Sequence, residues 1–390
     1  MKINDLFLPD STMLNWDVVD GLDCIKALKG CAQSEKWHKE GDVYEHTKMC
    51  IDATYNKLMN QINAECSPME TKCVIASVLL HDIGKAVTTN FIKGDIHSYG
   101  HEFESERMTR LLLWDEVIIW REMVCGLVRN HMLPLQIMDH KNSLTKIAAL
   151  SMNRFFTLEQ LYFVKAADIY GTINDDSTND YVKLRYFCYF YNRMNCYKEP
   201  FVDTANVTPH TRKFLLRKPL FGEDYHKGEP VIEIIMMIGL PGSGKSTKVK
   251  EVIDGKKAAC ESEPVVISRD IVRAELGFCE QGEKCVLDKE KENLVSRTCD
   301  EKLVVAIKEG KNVILDNMHT KLKYRNSVKM LLKQNFPKYN FVFRYIYCET
   351  SLKNNLERRP MISKEIYDGM IYSIDWPTPD EYHDIYIRLT

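Results

Sequence analysis

No apolar run in the chain reaches the roughly 18 residues that a membrane-spanning helix needs. The longest candidates, near Val231–Leu240 and Val117–Trp120, are too short, so no membrane partner is expected. No two of the 13 cysteines form a CxxC pair, which removes the usual signal of a zinc ribbon or a dithiol redox motif. The stretch Met1–Asp10 is polar and mixed and has no signal-peptide pattern, so reduced thiols in a cytoplasmic protein are expected. An excess of one charge is missing as well. With 53 Lys+Arg against 55 Asp+Glu the net charge is −2, which excludes a uniformly basic nucleic-acid coat and leaves room for a local basic groove. There is no internal repeat and no low-complexity tract. What remains is a chain that is 45% hydrophobic and 28% charged, ordinary for a folded protein. Its 390 residues suffice for two or three domains with real cores.

Proline and glycine are sparse up to about residue 200. Apolar residues there recur at three and four positions, as in Val74, Ile75, Val78, Leu79 and in Leu111, Leu112, Val117, Ile118, which predicts helices. Pro68 and Pro134 fall at expected helix ends. Between about Glu199 and Pro230 the texture changes. Pro200, Pro209, Pro219 and Pro230 and the basic cluster Arg212, Lys213, Arg217, Lys218 interrupt the periodicity. From Val231 onward, short apolar segments alternate with helix-length ones. Ile234–Ile238, Val265–Ile267, Val313–Leu315 and Phe341–Tyr347 are the expected strands, an alternation that argues a largely parallel sheet. The expected fold class is α + α/β in two domains: an all-helical bundle over 1–200, a connector over 201–229 and a parallel α/β domain over 230–390.

Gly239-Leu-Pro-Gly242-Ser243-Gly244-Lys245-Ser246-Thr247 fits GxxxxGK[ST] at every fixed position. It follows an apolar strand and opens a helix expected over Thr247–Ile253, the context that the phosphate-loop motif requires. Glycines let backbone N–H groups turn toward phosphate oxygens, and the helix N-terminus adds positive potential. Gly239, Gly242, Ser243, Gly244, Lys245, Ser246 and Thr247 are therefore the expected binders of ATP or another NTP with Mg²⁺. Lys245 reaches the β- and γ-phosphates and Ser246 ligates the metal. Strand Val265–Ile267 leads into Ser268-Arg269-Asp270-Ile271-Val272-Arg273. A strand end beside the phosphate loop faces the ligand crevice, which suits Asp270 to accept a proton from an attacking hydroxyl. Arg273, one helical turn on, suits a substrate phosphate.

These residues resemble the polynucleotide 5′-kinase family of the phage end-healing type, over about 231–390. The resemblance rests on GLPGSGKST, on Asp270 and Arg273, on Asp316-Asn317 at the end of strand Val313–Leu315, and on Leu356-Glu-Arg-Arg-Pro360 with the helix Lys364–Tyr372 behind it. It implies Asp270 as general base toward a 5′-hydroxyl, Arg273 on the acceptor's phosphate, Asp316 as organiser of Mg²⁺ waters, and a lid arginine over the donor phosphates. Arg358 matches that arginine, with Arg359 beside it. Asn354 stands where the family usually has a further lid arginine.

Six of the eleven histidines lie between positions 38 and 131. The order is His46, then His81-Asp82, then His101, His131 and Asp168, each in or at the end of an expected helix: Val43–Met59, Lys72–Leu80, His101–Leu113, Glu116–His131 and Leu158–Ala167. Helices of a bundle can aim such side chains at one interior point, and neutral imidazole with carboxylate suits Mn, Fe, Co, Ni or Zn. Leu79-Leu-His81-Asp82-Ile-Gly-Lys85 and Asp42-Val-Tyr-Glu-His46-Thr resemble the HD phosphohydrolase superfamily, over about 35–180. The resemblance implies one metal on His46, His81, Asp82 and Asp168. His101 and His131 would be the extra ligands of two-metal members, bridged by Asp82, with Lys85 steadying the phosphate. His38 is open between ligand and substrate contact, and His97 is expected beside the ligands rather than among them.

The two halves together resemble the bifunctional HD phosphoesterase–polynucleotide kinases that heal RNA ends. That implies NTP-dependent phosphorylation of 5′-hydroxyl ends, and metal-dependent removal of a 2′,3′-cyclic phosphate or a 2′/3′-phosphate. The implied partners are RNA or DNA ends and a polynucleotide ligase. The alternative is an HD nucleotide phosphohydrolase fused to a small-molecule kinase.

Overall fold

The computed structural model describes residues 1–136, 143–193, 196, 230–280, 287–350, 362–379, 381–382 and 384–388. The chain divides into two compact units, Met1–Ala205 and Asn206–Thr390. The connector expected over 201–229 lies outside the described residues.

In the first unit, α1 (Val43–Ala53) starts where the Asp42 side chain accepts a hydrogen bond from Glu45 N at 2.9 Å, a regular N-cap. The chain continues through a π-helical stretch, Thr54–Leu58, into Met59–Glu65. The helix expected to end at Met59 therefore widens by a turn and runs on. Helix α2 (Pro68–Leu80) begins with proline at its first position and a reciprocal Ser67–Glu70 capping box, and every residue from Cys73 to Leu80 is buried. A helix apolar all round belongs in the middle of a bundle, and its last turn delivers His81 and Asp82 to the interior. A hairpin follows, β1 (Asn90–Ile92) paired antiparallel with β2 (Asp95–His97). Its turn residues Lys93 and Gly94 both have positive φ, 52° and 88°, as a two-residue primed turn requires. This hairpin was not legible in the sequence and adds a small sheet to the expected helices. Then come α3 (His101–Leu112), α4 (Ile118–Asn130) and α5 (Leu158–Gly171), the last capped by Thr157 and Gln160. Arg110 of α3 and Arg121 of α4 share the buried carboxylate of Glu122, which satisfies three charges inside the bundle.

The second unit is a five-stranded parallel sheet in the order β4-β5-β3-β6-β7, formed by β3 (Val231–Ile238), β4 (Val265–Ile267), β5 (Val313–Leu315), β6 (Asn340–Cys348) and β7 (Asp384–Arg388). Helices α6 (Lys245–Ala258), α7 (Arg269–Glu275), α8 (Lys289–Lys308), α9 (Leu322–Asn335) and α10 (Lys364–Tyr372) connect the strands. β3 is flanked on both sides, with Ile234 opposite Val313 and Phe343, and reads as the near-continuous apolar run of a strand buried on both faces. The C-terminal ends of β3, β4 and β5 lie side by side, so the phosphate loop, Asp270 and Asp316 leave the sheet at one edge.

Among the described residues no helix is long and apolar enough to cross a membrane. Eleven described cysteines are free. Cys279 is disulfide-bonded, so the expectation of reduced thiols throughout fails at that position.

Candidate active sites

All six residues expected around the metal of the first unit come together. Asp82 leaves the end of α2 and its carboxylate divides two groups of histidines. Its Oδ2 lies 3.2 Å from His81 Nε2 and 3.7 Å from His46 Nε2. Its Oδ1 lies 3.2 Å from His101 Nε2 and 3.8 Å from His131 Nε2. Asp168 closes the first group, with Oδ1 3.2 Å from His46 Nε2 and 3.8 Å from His81 Nε2. His101 and His131 approach to 3.3 Å through their Nε2 atoms. Ligand atoms about 2.0–2.2 Å from one ion stand roughly 3–3.5 Å from one another, so these spacings are those of a donor set around a cation.

The tautomers are fixed from behind. Nδ1 of His81, His101 and His131 each meets the backbone carbonyl three residues earlier, of Val78, Ser98 and Val128, at 2.8, 2.8 and 2.7 Å. A carbonyl only accepts, so each Nδ1 carries the hydrogen and each Nε2 presents a lone pair inward. His46 Nδ1 donates instead to Glu40 Oε1 at 2.8 Å, and His38 Nδ1 donates to the same oxygen at 2.8 Å. His81 Nε2 and Asp82 Oδ1 are buried without a hydrogen-bond partner. A bare imidazole nitrogen and a bare carboxylate oxygen, both inward, fit a transition metal.

Charge supports the same conclusion. Burial works against the Asp82 carboxylate, but its neighbours, His81 and the Lys85 ammonium first among them, outweigh it and hold the group well below the usual range. Burial is likewise overcome at Asp168, by Lys165 and His46. His131 is pushed well down by burial, and its neighbours His81 and His101 act in the same direction, which leaves it neutral. Lys85 Nζ sits 2.7 Å from Asp82 Oδ2 and donates to Gln33 Oε1 at 2.9 Å. His97 stacks on Tyr99, centroids 5.0 Å apart at 8°.

Sequence reasoning missed four neighbours. Cys50 Sγ is 3.5 Å from His46 Nε2, and Lys165 Nζ donates to Asp168 Oδ2 at 2.6 Å. They follow or precede a predicted ligand by four and three residues on its own helix, a spacing that could have exposed them. Glu40 and Gln33 come from irregular chain, where no periodicity points inward.

In the second unit Gly239 has φ 152°, and a Cβ there would lie 2.5 Å from Cys348 O, so the loop passes the end of β6 only without a side chain. Lys245 Nζ donates to Gly239 O and Leu240 O, both at 2.9 Å. Ser246 Oγ donates to Asp316 Oδ2 at 2.8 Å, and burial raises the Asp316 carboxyl against that hydrogen bond. Asn317 Oδ1 accepts from Arg269 N at 3.0 Å, tying the end of β5 to the start of α7. Asp270 is exposed, paired with Arg273 Nη1 at 2.5 Å. Arg273 also reaches Glu292 of α8, Nη2 to Oε1 at 3.0 Å. Arg388 of β7, not foreseen, donates from Nη1 to Gly244 O at 3.4 Å. Arg358, Arg359 and Asn354 lie outside the described residues.

A buried cluster of imidazoles and carboxylates in a helical bundle, and a phosphate loop on a parallel sheet, define an enzyme of two parts: a phosphohydrolase-type domain and a P-loop kinase-like domain. The family models agree with this division. The chain carries an HD domain, matched over residues 43–169, and an AAA domain, matched over 234–359. No curated protein matches the chain. Among solved structures, a chain of the Pnkp1/Rnl/Hen1 complex is 17% identical over 34% of this chain, with a TM-score of 0.27, and this chain spans 41% of its length. APS kinase CysC of Mycobacterium tuberculosis, in complex with AMPPNP and APS, is 19% identical over 40% of this chain and 89% of its own, with a TM-score of 0.28. Chaetomium thermophilum Kti12, in complex with ADP-AlF3, is 18% identical over 40% of this chain and 88% of its own, with a TM-score of 0.28.

Proposed function

We propose that this enzyme heals nucleic-acid ends, RNA above all: its AAA domain phosphorylates 5′-hydroxyl ends and its HD domain removes 2′,3′-cyclic phosphate or 2′/3′-phosphate. The observation that carries the reading is the pairing, on one chain, of a phosphate loop with a donor cluster in which Asp82 stands between two histidine groups. One half is equipped to add a phosphate and the other to remove one. Cleavage of RNA by its own 2′-hydroxyl leaves both ends in the state that these two reactions correct, and a polynucleotide ligase needs the corrected state. A ligase is therefore the functional partner in this reading.

In the kinase half, Lys245 leaves its loop carbonyls for the β- and γ-phosphates, and Ser246 with Asp316 holds the Mg²⁺ that accompanies ATP. Asp270 accepts the proton of the 5′-hydroxyl as the new O–P bond forms and the bond to the leaving ADP breaks. Arg273 holds the acceptor's phosphate, and Arg358 is assigned to the donor phosphates. In the other half, His46, His81, Asp82 and Asp168 would hold one ion, and Asp82, His101 and His131 would hold a second. A transition metal held there would supply a more acidic bound water and positive charge for the phosphoryl oxygens. Glu40 orients His46, and Lys85 steadies the phosphate. Two residues before His101, the Tyr99 ring is 74% exposed and stacked on His97. An exposed ring next to a phosphate site suits an unpaired base, a stack contributing about 1–3 kcal/mol. This favours a polynucleotide over a free nucleotide.

The test is an RNA bearing a 5′-hydroxyl and a 2′,3′-cyclic phosphate, incubated with ATP, Mg²⁺ and Mn²⁺, with both ends resolved. Lys245→Ala should lose 5′ phosphorylation and keep 3′ hydrolysis, and Asp82→Ala should do the reverse. Turnover of free nucleotides and none of the RNA would replace this reading with the small-molecule alternative.

A further inference from the structure

We infer that Gln33 is a phosphate-binding residue of the HD site, donating its side-chain amide to a non-bridging oxygen of the substrate's phosphate beside Lys85. The inference rests on the reading of the first unit as a phosphohydrolase and adds a residue to that site which no motif contains.

Gln33 is 8% exposed and stands in irregular chain before α1. Its Oε1 accepts from Lys85 Nζ at 2.9 Å, and the same ammonium lies 2.7 Å from Asp82 Oδ2. One side chain therefore separates the amide from the carboxylate between the two histidine groups. The orientation of the amide follows from chemistry. An ammonium group has no acceptor, so the oxygen must face Lys85 and the nitrogen must face elsewhere. That nitrogen, Nε2, is buried and has no hydrogen-bond partner.

Leaving a buried amide donor unpaired is costly and rare in native proteins. Among the other buried side-chain atoms without a partner, His81 Nε2 and Asp82 Oδ1 belong to the cation cluster that Lys85 touches, and Ser34 Oγ is on the residue after Gln33. On either side of Lys85, then, stand acceptors that await a cation and an amide donor that awaits an acceptor. Gln33 Nε2 offers two N–H bonds and Lys85 a third donor beyond the two already used. A phosphoryl group turned toward the cluster supplies oxygens for both. The division of labour is chemical. Lys85 gives charge without geometry, whereas the planar amide gives direction without charge.

The experiment measures binding as well as turnover, on the full chain loaded with Mn²⁺, with inorganic phosphate as the probe and calorimetry as the readout. Gln33→Ala should weaken phosphate binding at least tenfold. Gln33→Glu keeps the shape and the acceptor for Lys85 but replaces the donor by an anion, and should weaken it further. Both should keep the Mn²⁺ affinity within about twofold, which itself reports that the helical unit of each variant is folded around an intact cluster. Phosphate affinity unchanged in Gln33→Glu would overturn the proposal, as would Mn²⁺ and phosphate affinity falling together, since Gln33 would then act only through the cluster. Failure of the wild-type protein to bind phosphate at all would overturn it too. If the wild type binds phosphate, loses it on Gln33→Glu and yet hydrolyses no phosphoester, the phosphate site stands and the hydrolase reading falls.

Discussion

His319 carries a cost that scales with acidity. It follows Asp316-Asn317 at the end of β5, at φ 40°, in a conformation that non-glycine residues adopt uncommonly and asparagine most readily. Its Nδ1 donates to Met237 O at 3.1 Å, and the adjacent Met318 O accepts from Gly239 N at 3.1 Å. The residue therefore pins the start of the phosphate loop to β5. Burial, opposed by the Met237 carbonyl and aided by the charges of Arg325 and Lys245, pushes its pKa down to about 4. An unfolded histidine titrates near 6.5, so between about 6.5 and 4 the unfolded chain binds a proton that the folded one refuses. Stability of the second unit is then full above about 6.5 and falls with the pH, by at most about 3 kcal/mol from this group. Urea unfolding at neutral pH and near pH 4.5 should show that loss. His319→Asn, which suits the φ and keeps a donor for Met237, should flatten it. An equal pH slope in the variant would show that other groups carry the acid sensitivity.

A close approach between elements decides the geometry of the histidine cluster. The glycine of Ile83-Gly84-Lys85 faces the start of α3, and a Cβ on it would lie 2.3 Å from His101 O and 2.6 Å from Ser105 N. Both are backbone atoms, so Gly84→Ala must displace α3 and His101 with it. Overpacking of this kind costs about 1–3 kcal/mol. The expected outcome is a folded protein with a melting point lowered by several degrees and Mn²⁺ affinity reduced at least tenfold, read by competition with a chelator. Undiminished affinity would mean that His101 lies outside the cation site. The same elements show what the sequence discloses. Helix and strand periodicity gave β4 and β5 to the residue, and the His-Asp pair and phosphate loop are sequence-contiguous motifs. The strands of the hairpin, Asn-Phe-Ile and Asp-Ile-His, are exposed or half-buried throughout and lack the all-apolar run that marks β4 and β5, and β7 emerges from a stretch with little apolar content before it. Glu40 and Gln33 are invisible for another reason. Their roles come from long-range approach to His46 and Lys85, and nothing local marks a polar side chain in a loop as inward-facing.

Across the whole molecule, the two candidate sites draw on separate stretches of chain. All six histidine and aspartate donors fall within Met1–Ala205, and the phosphate loop, Asp270, Asp316 and Arg388 fall within Asn206–Thr390. The buried clusters divide the same way. One runs from Ile3 to Cys196, and the other, around Ile235, Met237, Ile314 and Ile346, belongs to the sheet. A unit with its own core and its own site has what independent folding and chemistry require. Fragment 230–390 should therefore phosphorylate 5′-hydroxyl ends by itself, and fragment 1–200 with Mn²⁺ should remove the 3′-terminal phosphate. Rates at saturating RNA should match those of the intact chain, because linking two sites changes local concentration and not the chemistry at either one. At limiting RNA the intact chain should complete both ends of one break faster than an equimolar mixture of fragments. A fragment 230–390 that is folded by circular dichroism and binds ATP, yet transfers no phosphate, would place part of the acceptor site in the helical unit and end the claim of independence.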